Sequence, residues 1–197
     1  THPNTHVNPP CVPNVITSKR TSFRNLEGRN TNADTLTTLS HWIAGQFDPT
    51  LSWKDVEWIK SLWGGKIILK GILDTEDAKI AAGLGVEALV VSNHGGRQLD
   101  GASSSIRALP EVVDAVGDRI EVLFDGGIRS GQDLLKALAL GAKGALIGRA
   151  YAYGLGAMGE KGVTRALEII RNELDVTMAP CGVKGVNEAS QAILRAA

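Results

Sequence analysis

From Leu51 onward the chain alternates short, often β-branched apolar runs with stretches whose apolar residues recur every three to four positions. That beat predicts alternating strands and helices. Ser52 with Asp55 three positions on has the form of a helix start, and Trp53, Val56, Ile59 and Trp63 then fall along one side, which predicts a first helix. A strand is predicted over 66–70. Asp74-Thr75-Glu76-Asp77 then opens a second helix through about Leu84, with Gly85 as its stop. Ala88 to Ser92 is apolar until its last residue, as expected of a parallel strand buried on both faces. A helix over 110–116, a strand over 121–124, a helix over 130–140 and a strand over 144–147 continue the alternation. Val163, Ala166, Leu167, Ile170 and Leu174 mark a final amphipathic helix.

The polar residues that interrupt this pattern collect at the carboxyl ends of the strands: Lys70, Ser92-Asn93-His94, Asp125 and Gly148-Arg149. In a (β/α)8 barrel that end carries the site. Four strand–helix units make half a barrel, so the expected fold is α/β and half of a TIM barrel. An open Rossmann-like sheet is the competing arrangement.

Residues 1 to about 40 are of another kind, with Pro3, Pro9, Pro10 and Pro13, many Asn and Thr, and few regularly spaced apolar positions, so a long loop is expected there. The chain is accordingly divided into a loop-rich segment 1–50, a half-barrel 51–180 and a tail 181–197. Lysine plus arginine and aspartate plus glutamate number 21 each, which leaves no basic surplus for a nucleic acid. The longest apolar runs fall far short of the about 20 residues a spanning helix needs. The amino terminus has neither a signal-peptide pattern nor an initiator methionine, so the chain is read as incomplete. Cys11 and Cys181 stand alone, which argues against a zinc site or a disulfide framework and for a reducing compartment.

Three motifs carry chemistry. In Ser92-Asn93-His94-Gly95-Gly96-Arg97-Gln98-Leu99-Asp100, two glycines let the backbone bend so that an imidazole and a guanidinium face one ligand, a base beside a carboxylate clamp. Taken alone, a strand-end histidine more often satisfies neighbouring carbonyls. Phe124-Asp125-Gly126-Gly127-Ile128-Arg129-Ser130-Gly131 and Leu146-Ile147-Gly148-Arg149 each place glycines after a strand, where backbone N–H groups and a helix amino terminus receive a phosphate. Their glycines would by themselves read as turn residues; with Arg129 and Arg149 the phosphate reading gains weight. Lys70 ends the run Ile67-Ile68-Leu69, and a cation inside a barrel mouth needs an anionic partner. Gly154-Leu155-Gly156-Ala157-Met158-Gly159 spells G-x-G-x-x-G but follows no buried strand, so nicotinamide binding there is rejected. Trp42, Trp53, Trp58 and Trp63 are read as packing residues, and His2, His6 and His41 as surface residues.

These motifs, together with Ala44-Gly45-Gln46-Phe47-Asp48 and Leu51-Ser52-Trp53-Lys54-Asp55, closely resemble the FMN-dependent 2-hydroxy-acid dehydrogenase and oxidase family: flavin-type L-lactate dehydrogenases, glycolate oxidases, mandelate dehydrogenases and lactate monooxygenases. The resemblance covers the second half of the family's catalytic domain and implies strands 5–8 of its barrel. It implies FMN as cofactor, held by Lys70, Ser92, Asp125, Gly126, Gly127, Arg129, Gly148 and Arg149, with no metal. His94 would be the catalytic base and Arg97 would bind the substrate carboxylate, with Lys70 near the N1/C2-oxygen side of the flavin ring. The reaction implied is oxidation of a small (S)-2-hydroxy acid, L-lactate by preference, to the 2-oxo acid. Whether His94 takes the hydroxyl proton or the α-proton stays open.

The stretches Gly95 to Gly101 and Ser104 to Pro110 look like the lactate dehydrogenases, whereas Asn25-Leu26-Glu27-Gly28 and Trp42 to Gln46 look oxidase-like. The electron acceptor is therefore a quinone, a cytochrome or O2. The alternatives kept are an oxidase or lactate monooxygenase, an FMN-barrel enzyme of another reaction type, and a non-catalytic half-barrel remnant. The resemblance further implies a homo-oligomer for the full-length enzyme, in the cytoplasm or peripheral on the inner face of a membrane. The family's first four strands, which complete the flavin-ring pocket and orient the catalytic histidine, have no counterpart here.

Overall fold

A computed structural model describes residues 42, 45, 46 and 48–194. The expectations placed on residues 1–41, among them the long loop, His2, His6, His41, Cys11 and Asn25 to Gly28, lie outside the described residues. The chain divides into two compact units, residues 1–64 and 65–197.

In the first unit, helix α1 (Trp53–Trp63) starts where the Ser52 pattern places it. The Asp55 carboxylate reaches back to accept the Ser52 N–H at 2.7 Å, and Gly64 closes the last turn in the left-handed conformation. Trp58 and Trp63 are 59% and 67% exposed, so the reading of the tryptophans as packing residues fails for these two.

The second unit is built on four parallel strands in sequential order: β1 (Ile68–Ile72), β2 (Ala88–Ser92), β3 (Glu121–Asp125) and β4 (Gly144–Leu146). Between them run α2 (Thr75–Gly83), α3 (Ser105–Val116) and α4 (Gly131–Ala139), and after β4 come α5 (Arg149–Met158) and α6 (Glu160–Met178). The order β1-β2-β3-β4 never reverses, so these strands have no topological switch point of the Rossmann kind. One apolar cluster joins Leu89 and Val91 of β2 and Val122 and Phe124 of β3 to Ala78 of α2, Val112 of α3 and Ala137 of α4, which puts these helices on the same face of the sheet. Alternation along the strands turns Lys70, Val90, Ser92, Leu123 and Asp125 to the opposite face. All five residues of β2 are buried, as its unbroken apolar run requires.

Three elements differ from the sequence reading, each for a physical reason. Strand β1 is two residues later than expected. The Ile67 N–H is taken by the Glu87 carboxylate at 2.7 Å, and the register slips between Lys70 and Ile72, so that a bulge at Gly71 carries the strand past its lysine. Helix α3 starts at Ser105, with Pro110 inside it, rather than at Pro110. A mid-helix proline forfeits one ladder bond, but Ala108, Leu109, Val112 and Val116 are all buried, and that packing outweighs it.

Helix α5 was not anticipated at all, because Gly154 and Gly156 depress helix propensity. Its reason is α6. A Cβ placed on Gly154 would stand 2.4 Å from the Gly162 carbonyl oxygen, so the two helices cross with backbone against backbone. The G-x-G-x-x-G spelling therefore begins within a helix–helix contact, which agrees with its rejection as a nucleotide turn.

Candidate functional site

At the carboxyl ends of the strands lies an open cleft of ≈ 320 Å³, lined by Lys70, His94, Gly95, Arg97, Asp125, Gly126, Gly127, Ile128, Arg129, Leu146, Gly148, Arg149, Tyr151 and Ala152. Nine of the ten residues singled out in the sequence line it; Ser92 does not.

The inner end of the cleft is a polar cluster on three neighbouring strands. Lys70 Nζ lies 2.9 Å from Asp125 Oδ2 and donates to Ser92 Oγ at 3.1 Å. Ser92 Oγ in turn donates to Asp125 Oδ2 at 2.6 Å. Register explains the meeting: Ser92 pairs with Asp125 across β2 and β3, and Lys70 stands one alternation back on β1 beside Val90. Burial works to raise the Asp125 carboxyl, but hydrogen bonds from Ser92 and Lys70, the Lys70 charge and, least, His94 outweigh it and hold the group below the usual carboxylate range. The anion that Lys70 requires is thus supplied within the chain.

His94 follows β2 after one residue, Asn93. Its backbone takes a left-handed conformation, φ 56°, uncommon for a residue with a side chain, while its N–H donates to Ser92 Oγ at 3.0 Å. Its ring lies against the backbone of β1: a Cβ on Gly71, where φ is +104°, would stand 2.9 Å from His94 Cε1. Asn93 closes the loop that follows. Its Oδ1 accepts the Gly96 N–H at 3.2 Å and its Nδ2 donates to the Ser103 carbonyl at 3.4 Å, which ties the start of the Arg97 loop to its end. Arg97 is exposed, at the cleft wall.

The outer part of the cleft gathers Arg129 and Arg149. Arg149 also donates from its guanidinium to the Gly95 carbonyl, which joins the loop after β4 to the loop after β2. The amino terminus of the helix after β3 has partners within the chain. The Arg129 and Ser130 N–H groups both donate to Asp133 Oδ2 at 3.0 Å, and the Gly131 N–H donates to Glu173 Oε2 at 2.9 Å. Two carboxylates of the protein already occupy that terminus. Helix α5 begins at Arg149 with Gly148 as its cap, so the first turn of α5 is the helix amino terminus that borders the cleft. Arg129 makes no hydrogen bond or ion pair from its side chain to any other described residue.

Sequence reasoning missed five contributors to this geometry. Gly71 carried a signal, since a glycine inside a strand pattern marks close backbone approach. Ser105 lies under Gly126, where a Cβ would stand 2.4 Å from its Oγ, and gave none. Tyr151 and Ala152 belong to the unforeseen α5, and Glu173 comes from 42 residues away.

A strand-end histidine on a glycine loop, a lysine–carboxylate pair and two arginines beside a helix amino terminus suit a flavin phosphate and a carboxylate-bearing substrate. Residues 2–196 match the model of the FMN-dependent dehydrogenase family. The chain belongs to that family. It is 57% identical over 153 residues to an L-lactate dehydrogenase of Caulobacter vibrioides, covering 78% of this chain and 40% of that protein. An L-lactate dehydrogenase of Pseudomonas syringae is 51% identical over 162 residues, 82% of this chain and 43% of the relative. Among solved structures, a monotopic membrane protein, (S)-mandelate dehydrogenase, superposes with a TM-score of 0.76 at 38% identity, covering 84% of this chain and 44% of that one. A flavocytochrome b2 mutant with pyruvate bound gives 0.71 at 42% identity, over 75% of this chain and 38% of that one. The chain spans about 40% of the length of the curated relatives it matches. FMN is the cofactor of the family, and the parallel strands are part of a barrel of the kind these enzymes have. No helix among the described residues is long and apolar enough to cross a membrane.

Proposed function

We propose that this chain carries the phosphate subsite and the substrate-facing base of an FMN-dependent enzyme that oxidises L-lactate to the 2-oxo acid, and that its four strands are strands 5–8 of the (β/α)8 barrel. The observation that carries the proposal is one cleft that holds Lys70, His94 and Arg97 together with Arg129 and Arg149. The relatives named L-lactate dehydrogenase and the pyruvate in the flavocytochrome b2 structure support lactate as the substrate.

The donor set fits FMN. The cleft has four cationic side chains against the single carboxylate of Asp125, and the first turn of α5 adds the positive end of a helix to Arg129 and Arg149. The phosphate subsite belongs to these groups and to Gly148 rather than to α4. It is the arrangement barrels build from their last loops and a short extra helix. FMN, when bound, supplies the two-electron sink. Arg97 pairs its planar guanidinium with the substrate carboxylate. His94 accepts the proton that leaves the substrate. Lys70, pinned by Asp125 and Ser92, holds a fixed positive charge at the strand ends.

The test compares two flavins by fluorescence quenching. FMN should bind at least about tenfold more tightly than riboflavin, which lacks the phosphate, and Arg149→Gln should remove most of that difference, the loss expected of a charge-assisted bond. Equal affinities, or no quenching by FMN at near-millimolar concentration, would overturn the proposal.

A further inference from the structure

Ser92 stands at the centre of the polar cluster but not at the cleft surface; it is 1% exposed. A serine hydroxyl has one proton to give and two lone pairs to accept with. The Ser92 proton goes to Asp125 Oδ2 at 2.6 Å, and its lone pairs receive the Lys70 ammonium at 3.1 Å and the His94 N–H at 3.0 Å. All three valences are spent inside the protein. The third bond falls on the residue whose backbone is least willing to hold its place, since His94 is the one non-glycine among the described residues with a positive φ. Left-handed backbone at a residue with a side chain is strained and persists only where its surroundings over-determine it. Two contacts do so here: the Ser92 hydroxyl on the backbone and Gly71 under the ring.

We infer that Ser92 is a positioning residue for His94: its buried hydroxyl, oriented by Asp125 and Lys70, fixes the His94 backbone so that the imidazole stands over Gly71 and faces the cleft. The inference rests on the proposed reading of His94 as the base. It makes the Lys70–Asp125 pair part of what aims the histidine. Loss of either partner frees the hydroxyl to rotate.

The experiment is nuclear magnetic resonance on the 197-residue chain. In the unmodified chain a cross-relaxation peak should join His94 Hε1 to a Gly71 Hα, and the His94 amide proton should exchange slowly. Ser92→Ala should lose the peak and speed that exchange by about tenfold or more, the behaviour of a released local hydrogen bond, while the amides of the β2–β3 core keep their protection. Ser92→Thr, which keeps the hydroxyl, should restore both. Ser92→Cys keeps the shape but offers a weak acceptor, and it should behave as Ala does even if the alanine variant fails to fold. Persistence of the peak and of slow exchange in the cysteine variant overturns the inference. So does an FMN affinity that falls about tenfold in that variant while the peak persists, the loss expected of a direct hydrogen bond to the flavin. Failure of the unmodified chain to quench FMN would instead strike the proposed function, and the peak would still decide the role of Ser92.

Discussion

Asp125 shows how a single residue serves fold and site together. Its carboxyl is held below the usual range, so ionised Asp125 stabilises the folded chain at pH values above the unfolded carboxylate value of about 3.9, and that contribution is withdrawn as pH falls through the lower folded value. Lys70→Ala removes the ion pair and one of the two hydrogen bonds that lower the value. The variant should therefore be less stable than the parent at pH 7, and the gap should narrow as pH falls below about 4. Urea denaturation at a neutral and an acid pH measures both gaps; a gap that does not change with pH speaks against the pair. Gly71 is the second case. With φ at +104° and His94 Cε1 within 2.9 Å of a notional Cβ, Gly71→Ala should cost about 1–3 kcal/mol in urea denaturation. It should also displace the His94 ring, seen as a changed Hε1 shift. The lysine's need for an anion was legible in the sequence. Which anion was not, because Lys70 and Asp125 meet through the pairing of three strands.

Among the elements, the helix starts were the most legible, because their signals are local. Ser52 with Asp55 and Ser130 with Asp133 form reciprocal caps within four residues of chain. The same Asp133 that makes the α4 start readable also accepts the Arg129 and Ser130 N–H groups. A capping carboxylate and a phosphate would compete for one helix end, and here the carboxylate takes these two groups. Ser130→Ala should therefore lower stability by about 1 kcal/mol and leave FMN affinity unchanged, in contrast to Arg149→Gln. Helix α5 is the opposite case, held by its crossing with α6 at Gly154 and Gly162. A Cβ on Gly162 would stand 1.9 Å from the Gly154 carbonyl oxygen, so Gly162→Ala should cost about 1–3 kcal/mol or more by forcing the helices apart. It should weaken FMN binding as well, since α5 carries Arg149. An FMN affinity that survives the separation of these helices would remove α5 from the phosphate subsite.

At the scale of the whole molecule, a sheet of four parallel strands is an open structure: among the described residues β1 and β4 each pair on one side only. Exposed ladder groups and apolar edge side chains favour association. Ile68 on β1 is 54% exposed and Leu146 on β4 is 37% exposed. The isolated chain should associate as its concentration rises, and Ile68→Lys should reduce that association in sedimentation velocity. The cleft is likewise open, with the Lys70 side chain 38% exposed, so water reaches the groups that chemistry needs shielded. With FMN added, the chain alone should bind flavin and yet fail to bleach it anaerobically with L-lactate.

What the sequence determined by itself was everything carried by nearest neighbours: the alternation of strand and helix, the buried run of β2, the caps of α1 and α4, and the family, through motifs long enough to name His94, Arg97 and the two glycine loops. What tertiary structure alone decided depended on residues far apart in the chain. The bulge at Gly71, the assignment of Asp125 to Lys70, the saturation of Ser92, the capture of the α4 terminus by Glu173 and the existence of α5 all arise where separate elements touch. Hydrogen bonds have a small, fixed number of donors and acceptors, and local sequence specifies which groups need partners without specifying which partner arrives.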